Sequence, residues 1–437
     1  MFNVLFIHTH DTGRYIQPYG YHIPTPNLMD FAQKGTLFRK AFSAAPTCSP
    51  SRSAMLTGTM PHVNGMLGLA HRGFSMTDYR KHMAHFLNQH GYETVLCGVQ
   101  HESNQIEDLG YQKVLRTYQP GHAADAAEDL TNAKEVAKYL RAKETDTQPF
   151  FLSYGLLNTH RAFPADCGVN PDYVMPPYPL PDLPETRQDF AAYMGSAQLV
   201  DQCVGEVLEA LRDSGKAANT LVVFTTDHGI AFPMMKCNLY DTGIGVSFIV
   251  DYPGNPAQGK VVDALVSQLD LFPTVCDICQ LPEPDWLEGK SLIPLLNGQV
   301  HTIREEVFAE VTFHAAYEPM RAIRTDRYKL ICLYDDHDGY VPANIDDSAS
   351  KDILMQSGIL AGSRDREMLF DLYLDPVERI NRISDPAYQQ IYQDLSARLH
   401  TWMASTGDPL LGGAVAKPSH AIVNTRTCIS PQLEEFE

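Results

Sequence analysis

Short continuous runs of apolar residues alternate with amphipathic stretches over the first two thirds of the chain. The runs occupy residues 4–7, 94–97, 150–154 and 221–225. Runs of this length between helices are typical of buried strands in a mostly parallel sheet. Residues 188–211 have helical periodicity, which Ser214 and Gly215 end.

The pattern changes after about residue 310. The stretch MRAIRTDRYKLICLY predicts a β-hairpin that turns near Thr325 and Asp326. Residues 368–373 predict another strand, and residues 387–404 predict a helix. We therefore predict an α/β catalytic domain over residues 1–310. A smaller C-terminal α+β domain carrying an antiparallel sheet follows over residues 311–437.

Polar residues follow each of the four apolar runs. They are His8, His10 and Asp11 after the first run, His101 and Glu102 after the second, Asn158, His160 and Arg161 after the third, and Asp227 and His228 after the fourth. Ligands bind beyond the carboxyl ends of the strands in open α/β sheets. Four such clusters rich in His and Asp indicate a shared metal and anion site.

The segment PTCSPSRSAMLTG carries a candidate nucleophile. Ser49 can cap a helix, Pro50 suits its first turn and Gly58 can end it. Cys48 would then lie at a helix N-terminus, which favours anions and lowers a thiol pKa. A buried structural cysteine is the simpler interpretation. A thiolate nucleophile of the phosphatase kind is disfavoured, because Arg52 comes four residues after the cysteine rather than six.

Cys48-Ser49-Pro50-Ser51-Arg52 with Leu56-Thr57-Gly58 resembles the C-x-P-S-R-x-x-x-L-T-G signature of the sulfatase family, in the alkaline phosphatase superfamily. The resemblance implies an alkaline-phosphatase-like fold, with a large mixed, mostly parallel sheet between helices. It also implies a maturation enzyme that converts Cys48 to formylglycine (3-oxoalanine). In that family the hydrated aldehyde is the nucleophile that attacks sulfur.

The resemblance also implies roles for the polar clusters. The expected ligands of a divalent metal are His10, Asp11, formylglycine at position 48, Asp227 and His228. Arg52 would hydrogen-bond the formylglycine and its surroundings, and His101 would assist proton removal. His160 and Lys236 would bind the sulfate and protonate the leaving group.

Three positions depart from the family pattern. Position 10 is His where most sulfatases have Asp, and position 228 is His where many have Asn. Calcium is the usual ion of the family, but imidazole suits manganese, zinc or another transition metal. Alternatively, His10 does not bind the metal itself but contacts the residues that do. Position 99 is Val where the family motif G-K-x-H has Lys. The candidates to replace that charge are His62, Arg72 and Arg161.

Within the family, the chain most resembles the heparan N-sulfatases, or sulfamidases. The matching stretches include HVNGMLGL, DHGIAFP, LFDLYLDPVERIN and WMASTGDP. This implies a small sulfated carbohydrate as substrate, leaning to N-sulfoglucosamine. The candidates for the substrate rim are Glu310, His314, Tyr317 and Arg321, which are equally compatible with ordinary packing.

The composition of the chain disfavours nucleic acid and membranes as binding partners. The net charge of −19 disfavours nucleic acid, which requires a basic surface. No window is apolar enough for a membrane span. The N-terminus MFNVLFIHTHD has no signal-peptide pattern, so we expect a cytoplasmic enzyme. Assembly into a homo-oligomer stays open.

Two other functions remain as alternatives. A phosphonate or phosphate ester hydrolase of the same superfamily would share the Asp227-His228 pair. A catalytically weakened carbohydrate-binding relative would account for Val99 and His10. The intact Cys48 and Arg52 argue against the second alternative.

Overall fold

The computed structural model describes residues 1–117, 127–164 and 167–437. The strands are β1 Asn3–Thr9, β2 Thr36–Phe42, β3 Glu93–Gly98, β4 Lys113–Thr117, β5 Phe150–Gly155, β6 Thr220–Thr226, β7 Gly245–Val246, β8 Phe248–Asp251, β9 Lys260–Ser267, β10 Glu306–Phe313, β11 Tyr317–Thr325, β12 Tyr328–Leu333 and β13 Glu367–Asp371. The helices are α1 Pro26–Lys34, α2 Cys48–Thr57, α3 Pro61–Asn64, α4 Met83–Gln89, α5 Glu128–Ala142, α6 Pro184–Asp213, α7 Asp241–Ile244, α8 Leu271–Cys279, α9 Ile293–Leu296, α10 Ala349–Gln356 and α11 Gln389–Thr406.

A large mixed sheet is built from the first nine strands. Its order is β4-β3-β5-β1-β6-β8-β2-β7, with β9 paired to β2. The strands β4, β3, β5, β1 and β6 are mutually parallel, whereas β8 and β7 run antiparallel to their neighbours. The four apolar runs form β3, β5, β1 and β6, which lie side by side. The predicted mostly parallel sheet is therefore confirmed.

Both faces of this sheet are covered by helices. Val4 and Phe6 of β1 pack in a core with residues of α2, α4 and α8. Leu5 and Ile7 point to the opposite core, which α5 and α6 cover. Successive residues of a strand face opposite sides, so a strand buried on both faces must be apolar at every position.

A four-stranded antiparallel sheet follows, in the order β10-β11-β12-β13. The predicted hairpin is confirmed as β11 and β12, and the predicted C-terminal helix as α11. Leu399 and Met403 of α11 pack on one face of this sheet. Its other face packs against Phe42 and Leu265 of the large sheet. Strand β10 runs across residue 310, and the division of the chain there stays a prediction.

Helix α6 contains the predicted helical stretch and extends it at both ends. Pro184 occupies its first turn, and Gly215 follows its C-cap with a φ of 70°. This positive φ is open to glycine at little cost, which is why the helix ends there. Across the described parts of the chain, no helix has the length and apolar character needed to cross a bilayer.

Candidate active site at the carboxyl edge of the large sheet

The polar residues that follow β1, β3, β5 and β6 meet at one edge of the sheet. The ring of His10 lies 6.0 Å from that of His101 and 5.5 Å from that of His160, between centroids. Its Nδ1 lies 3.1 Å from Oδ2 of Asp227. Adjacent parallel strands end at the same edge, so these clusters form one site. The chemical role of each residue stays a prediction.

Cys48 is the first residue of α2 and is only 2% exposed. Thr47 is the N-cap, whereas Ser49 accepts a hydrogen bond from the Ala70 N–H at 3.0 Å. The expectation that Ser49 caps the helix is therefore wrong. Burial raises the pKa of the Cys48 thiol well above its ordinary value, so the expected lowering by the helix terminus is wrong too. The unmodified thiol is a poor nucleophile here.

Arg52 holds the end of β1 and the end of β6 together. Its Nε and Nη2 donate to Oδ2 of Asp227 at 3.2 and 3.1 Å, and Nη2 also donates to the Thr9 carbonyl at 2.8 Å. Its Nη1 donates to Nδ1 of His8 at 2.6 Å. Arginine can only donate, so His8 carries its proton on Nε2, which faces Ser153 Oγ at 3.0 Å.

Asp227 is the most heavily bonded carboxylate of the site. Its Oδ1 accepts from the N–H groups of Asp11 and His228, at 2.8 and 2.9 Å. Burial disfavours its charge, but His228, Arg52 and His10 together hold the pKa of Asp227 well below its ordinary value. Asp11 has a φ of 49°, an unfavourable backbone conformation for a non-glycine residue. The bond from its N–H to Asp227 helps to hold it there.

His228 presents a lone pair to the centre of the site. Its Nδ1 lies 2.9 Å from the Gly229 carbonyl, which can only accept, so the proton is on Nδ1. Its Nε2 then lies 3.3 Å from Oδ1 of Asp11 and 3.5 Å from Sγ of Cys48. An imidazole oriented through its other nitrogen in this way is the form that binds metals.

The donor set fits a divalent cation. Ligand atoms of His10, Asp11, Cys48 and Asp227 all lie within 4.8 Å of one another, and all four residues are buried. Nε2 of His10 and Oδ1 of Asp11 are buried without a hydrogen-bond partner. Buried polar atoms are rarely left unpaired, and carboxylates this close repel each other without a cation. The predicted ligands therefore fit a metal.

Lys236 brings a positive charge to the cluster through Asp11. Its Nζ donates to Oδ2 of Asp11 at 2.9 Å and lies 3.0 Å from Oδ2 of Asp346. It also lies 3.5 Å from Nε2 of His160. Burial opposes its charge, but Asp11 and then Asp346 raise the pKa of Lys236 well above its ordinary value. Lys236 is therefore a buried ammonium group.

Asp346 was missed by the sequence reasoning. Residues 335–347 predict a solvated acidic loop, yet Asp346 turns inward and its side chain is 20% exposed. Burial disfavours its charge, but Lys236, His160 and His314 together hold the pKa of Asp346 well below its ordinary value. A run of acidic residues gives no signal for which member points inward.

His71 was also missed. Its Nδ1 lies 2.8 Å from Nε2 of His101, and the two rings are stacked with centroids 5.0 Å apart. Burial lowers the pKa of His101 well below its ordinary value, with His71 as the next cause. Burial, then Arg72, lowers the pKa of His71 to about 4. Position 71 lies in a short helical turn far from any strand end, so the sequence pattern did not mark it.

The three candidates to replace a lysine at Val99 are engaged elsewhere. His62 bonds to Glu310, and Arg161 makes a two-pronged pair with Asp189. Arg72 donates to Asn424 Oδ1 at 2.7 Å and to the Pro431 carbonyl at 2.8 Å. None of these bonds points toward Cys48. Among the described residues, the cation that faces Cys48 from outside its own helix is Lys236.

The predicted rim residues divide into two groups. His314 is buried among Lys236, Asp346 and His228, and these neighbours place it beside the site. Arg321 is fully buried and donates to Asp408 at 2.5 and 3.0 Å. Glu310 bonds the backbone and ring of His62, and the Tyr317 hydroxyl accepts from the Val415 N–H at 3.0 Å. These last three contacts tie the chain together, and a substrate role for them stays a prediction.

The fold and this site define the class of the protein. The family model described as Sulfatase matches residues 3–281, and a model described as N-sulphoglucosamine sulphohydrolase, C-terminal, matches residues 232–350. The chain belongs to the sulfatase family and is a sulfuric ester hydrolase. It is 31% identical to human N-sulphoglucosamine sulphohydrolase, over 89% of this chain and 86% of that protein. The resemblance read from the sequence is confirmed.

Solved structures share the fold. The phosphonate monoester hydrolase of Agrobacterium radiobacter is 19% identical with a TM-score of 0.70, covering 93% of this chain and 96% of that chain. A protein solved in complex with its substrate D-glucosamine-2-N,6-O-disulfate is 17% identical with a TM-score of 0.70. It covers 93% of this chain and 98% of that chain. At these identities the likeness shows the fold alone.

Proposed function

We propose that the chain hydrolyses the sulfamate group of an N-sulfated glucosamine in a small carbohydrate, with formylglycine at position 48 and a divalent metal. One observation carries this proposal. Cys48 begins α2 beside the ligand atoms of His10, Asp11 and Asp227, and the ammonium group of Lys236 also faces it. The likeness to N-sulphoglucosamine sulphohydrolase along most of the chain supports the choice of substrate.

Formylglycine at position 48 and a divalent metal would together provide the nucleophile. Formylglycine would supply a hydrated aldehyde, and a metal held by Asp11, Asp227, His228 and His10 would polarise sulfate oxygens and favour an ionised hydroxyl. Because two of these four side chains are imidazoles, we propose a transition metal such as Mn²⁺ or Zn²⁺ rather than Ca²⁺. A formylglycine-generating enzyme is then a required partner.

The chain's own residues would bind the anion and move the protons. Lys236 holds a positive charge beside the space next to Cys48, where it would pair with a sulfate oxygen. The Nδ1 proton of His160 is bonded to the Arg161 carbonyl at 2.5 Å, so its Nε2 faces Lys236 with a lone pair. We propose that Lys236 and His160 together bind the sulfate and protonate the leaving group.

His101 would act in the second half of the reaction, when the sulfate group leaves position 48. Burial keeps its ring neutral, so one of its nitrogens can accept a proton. The contact with His71 fixes the orientation of that ring. We propose that His101 takes the proton released when sulfate departs. His71 would then set which nitrogen is free to receive it.

The proposal is tested by mass and by kinetics. Mass spectrometry of the Cys48 peptide, from protein made in its own host, should show the aldehyde in place of the thiol. The same protein should hydrolyse N-sulfoglucosamine, and Cys48→Ala should abolish the reaction. The variant Cys167→Ala, which changes a cysteine outside the site, should retain it. Full activity with unmodified Cys48 would contradict the proposed nucleophile.

Hydrolysis of a phosphonate or phosphate monoester is the second candidate. The observation that favours it is the Asp227-His228 pair, in which both side chains face the centre of the site. A shared fold with a phosphonate monoester hydrolase is compatible with it. Parallel kinetics on a sulfamate, a sulfate ester and a phosphonate monoester distinguish the two. A clear preference for the phosphonate would overturn the sulfamate proposal.

A further inference from the structure

Lys236 has two carboxylate partners that come from different parts of the chain. Asp11 belongs to the ligand cluster, and Asp346 comes from the small C-terminal part of the chain. Both distances, 2.9 and 3.0 Å, are those of direct ion pairs. If Lys236 takes part in protonating the leaving group, Asp346 lies directly beside that proton donor, with its Oδ2 3.0 Å from Nζ.

Asp346 has spare hydrogen-bonding capacity. Within the described parts of the chain, its Oδ2 contacts Lys236 and its Oδ1 accepts no hydrogen bond. The side chain is 20% exposed, so the carboxylate is open to a small ligand. The charged and titratable groups that face it are Lys236, His160 and His314.

His314 adds a second open acceptor at the same place. It is 7% exposed, and its Nδ1 is buried without a hydrogen-bond partner. Burial and the neighbouring Lys236 lower the pKa of His314 well below its ordinary value, so the ring is neutral and one nitrogen carries a lone pair. A buried ring nitrogen of this kind requires a hydrogen-bond partner, and in the tautomer protonated on Nε2 that partner is a donor from the ligand.

We propose that Asp346 and His314 form an acceptor subsite for the amino group that leaves, and that Asp346 thereby makes the enzyme prefer sulfamates over sulfate esters. The proposal rests on the function proposed above and deepens it by naming the group that selects the substrate.

The chemistry of the two leaving groups explains the preference. When the N–S bond breaks, the sulfo group passes to the nucleophile and the electron pair stays on nitrogen. One proton from the site then gives a neutral amine, and a second proton from water gives an ammonium ion. An ester instead releases an alcohol, which stays neutral. A carboxylate stabilises the developing ammonium ion but gains much less from an alcohol.

The test compares two substrates in three proteins. N-Sulfoglucosamine and glucosamine 6-O-sulfate are given to the formylglycine-containing enzyme, to Asp346→Asn and to Asp347→Asn. Asp347 is the matched control, because this neighbouring carboxylate pairs with Lys351 and is 49% exposed. For Asp346→Asn we expect kcat/KM on the sulfamate to fall about 10- to 100-fold, and on the ester less than about threefold. Asp347→Asn should change neither value.

An equal fall on both substrates would overturn the proposal. It would mean that Asp346 only positions Lys236, since a misplaced lysine impairs both reactions. A wild-type enzyme that cleaves the ester and not the sulfamate would contradict the proposed function. The subsite is then tested by product binding alone.

A second measurement needs no variant. Glucosamine and glucose are compared as inhibitors of the wild-type enzyme, at a pH where the amine is protonated. We expect glucosamine to bind at least about tenfold more tightly, because it alone offers an ammonium group to Asp346. Equal inhibition by the two sugars would refute the subsite, whichever sulfated substrate the enzyme prefers.

Discussion

Arg52 and Asp227 form a fully buried ion pair that joins α2 to the end of β6, with Nη2 and Oδ2 3.1 Å apart. Neither side chain is exposed to solvent. The pair orients the carboxylate that also faces His10 and bonds the backbone of Asp11. Its loss would therefore affect both the stability and the shape of the site.

We expect Arg52→Met to lower the free energy of unfolding by about 3–5 kcal/mol, because it leaves the Asp227 charge buried without its partner. Urea denaturation in the presence of a chelator measures this without a contribution from bound metal. The control is Arg80→Ala, which breaks an exposed pair with Asp78 and should leave the midpoint unchanged. An unchanged midpoint for Arg52→Met would contradict the structural role.

His62 and Glu310 predict a pH-dependent contribution to stability. Burial lowers the pKa of His62, but Glu310 more than offsets this and raises it above the ordinary value of 6.5. A raised pKa in the folded state means that the contribution is full below about pH 6.5 and is lost as pH rises through the folded value. The other charged groups that face His62 are Arg321, Asp408 and Glu288.

The comparison of wild type with His62→Asn isolates this contribution. We expect their difference in free energy of unfolding to be largest in mild acid and to shrink steadily toward alkaline pH. Guanidinium denaturation across that range measures it. A difference that stays constant with pH would show that His62 is neutral in the folded protein.

The contact between His71 and His101 predicts a positioning role. We expect His71→Ala to lower kcat about 10- to 100-fold with a smaller change in KM, because the ring of His101 loses the group that orients it. His85→Ala is the control, since His85 contacts the Asp108 carbonyl away from the site. Nitrogen NMR of labelled histidines should show an altered proton position on His101. An unaltered spectrum would remove the proposed cause.

The two imidazoles predict the metal preference. Removal of the metal by a chelator should lower the melting temperature, because a ligand that binds only the folded state stabilises it. The double variant His10→Asp with His228→Asn offers oxygen donors instead. We expect its affinity for Ca²⁺ relative to Mn²⁺ and Zn²⁺ to rise at least about tenfold. Calorimetric titration measures this directly, with the exposed His400→Asn as control. An unchanged ratio would show that the imidazoles do not select the metal.

Much of the fold could be predicted from local patterns. The apolar runs predicted β1, β3, β5 and β6, because strands buried on both faces are apolar throughout. The strand-end clusters predicted one shared site, because adjacent parallel strands end at the same edge. The strand β10 was not recognised from the sequence, although it pairs with the next strand, β11, across only residues 314–316. The boundary predicted at residue 310 falls inside this strand.

The part of the candidate site that lies in a sequence motif could be predicted from the sequence. The segment from Cys48 to Gly58 carries the family signature and predicts α2, on which the candidate nucleophile lies. Asp346 and His71 could not be found in this way, because they reach the site from segments with no pattern of their own. The raised pKa of Cys48 could not be predicted from the sequence either, because the effect of burial on the thiol exceeds that of the helix N-terminus.

The sequence by itself determined the α/β sheet, the sulfatase signature at Cys48 and the sulfatase family. Each of these follows from residues that are close together along the chain, either in a run of apolar residues or in a short motif. Only the tertiary structure decided which charged residues from distant segments form ion pairs at the site, such as Lys236 with Asp346. It also decided which candidate residues form ion pairs away from Cys48, such as Arg161 with Asp189. Electrostatic interactions depend on distance in space and on burial, and neither is encoded in the spacing of residues along the chain.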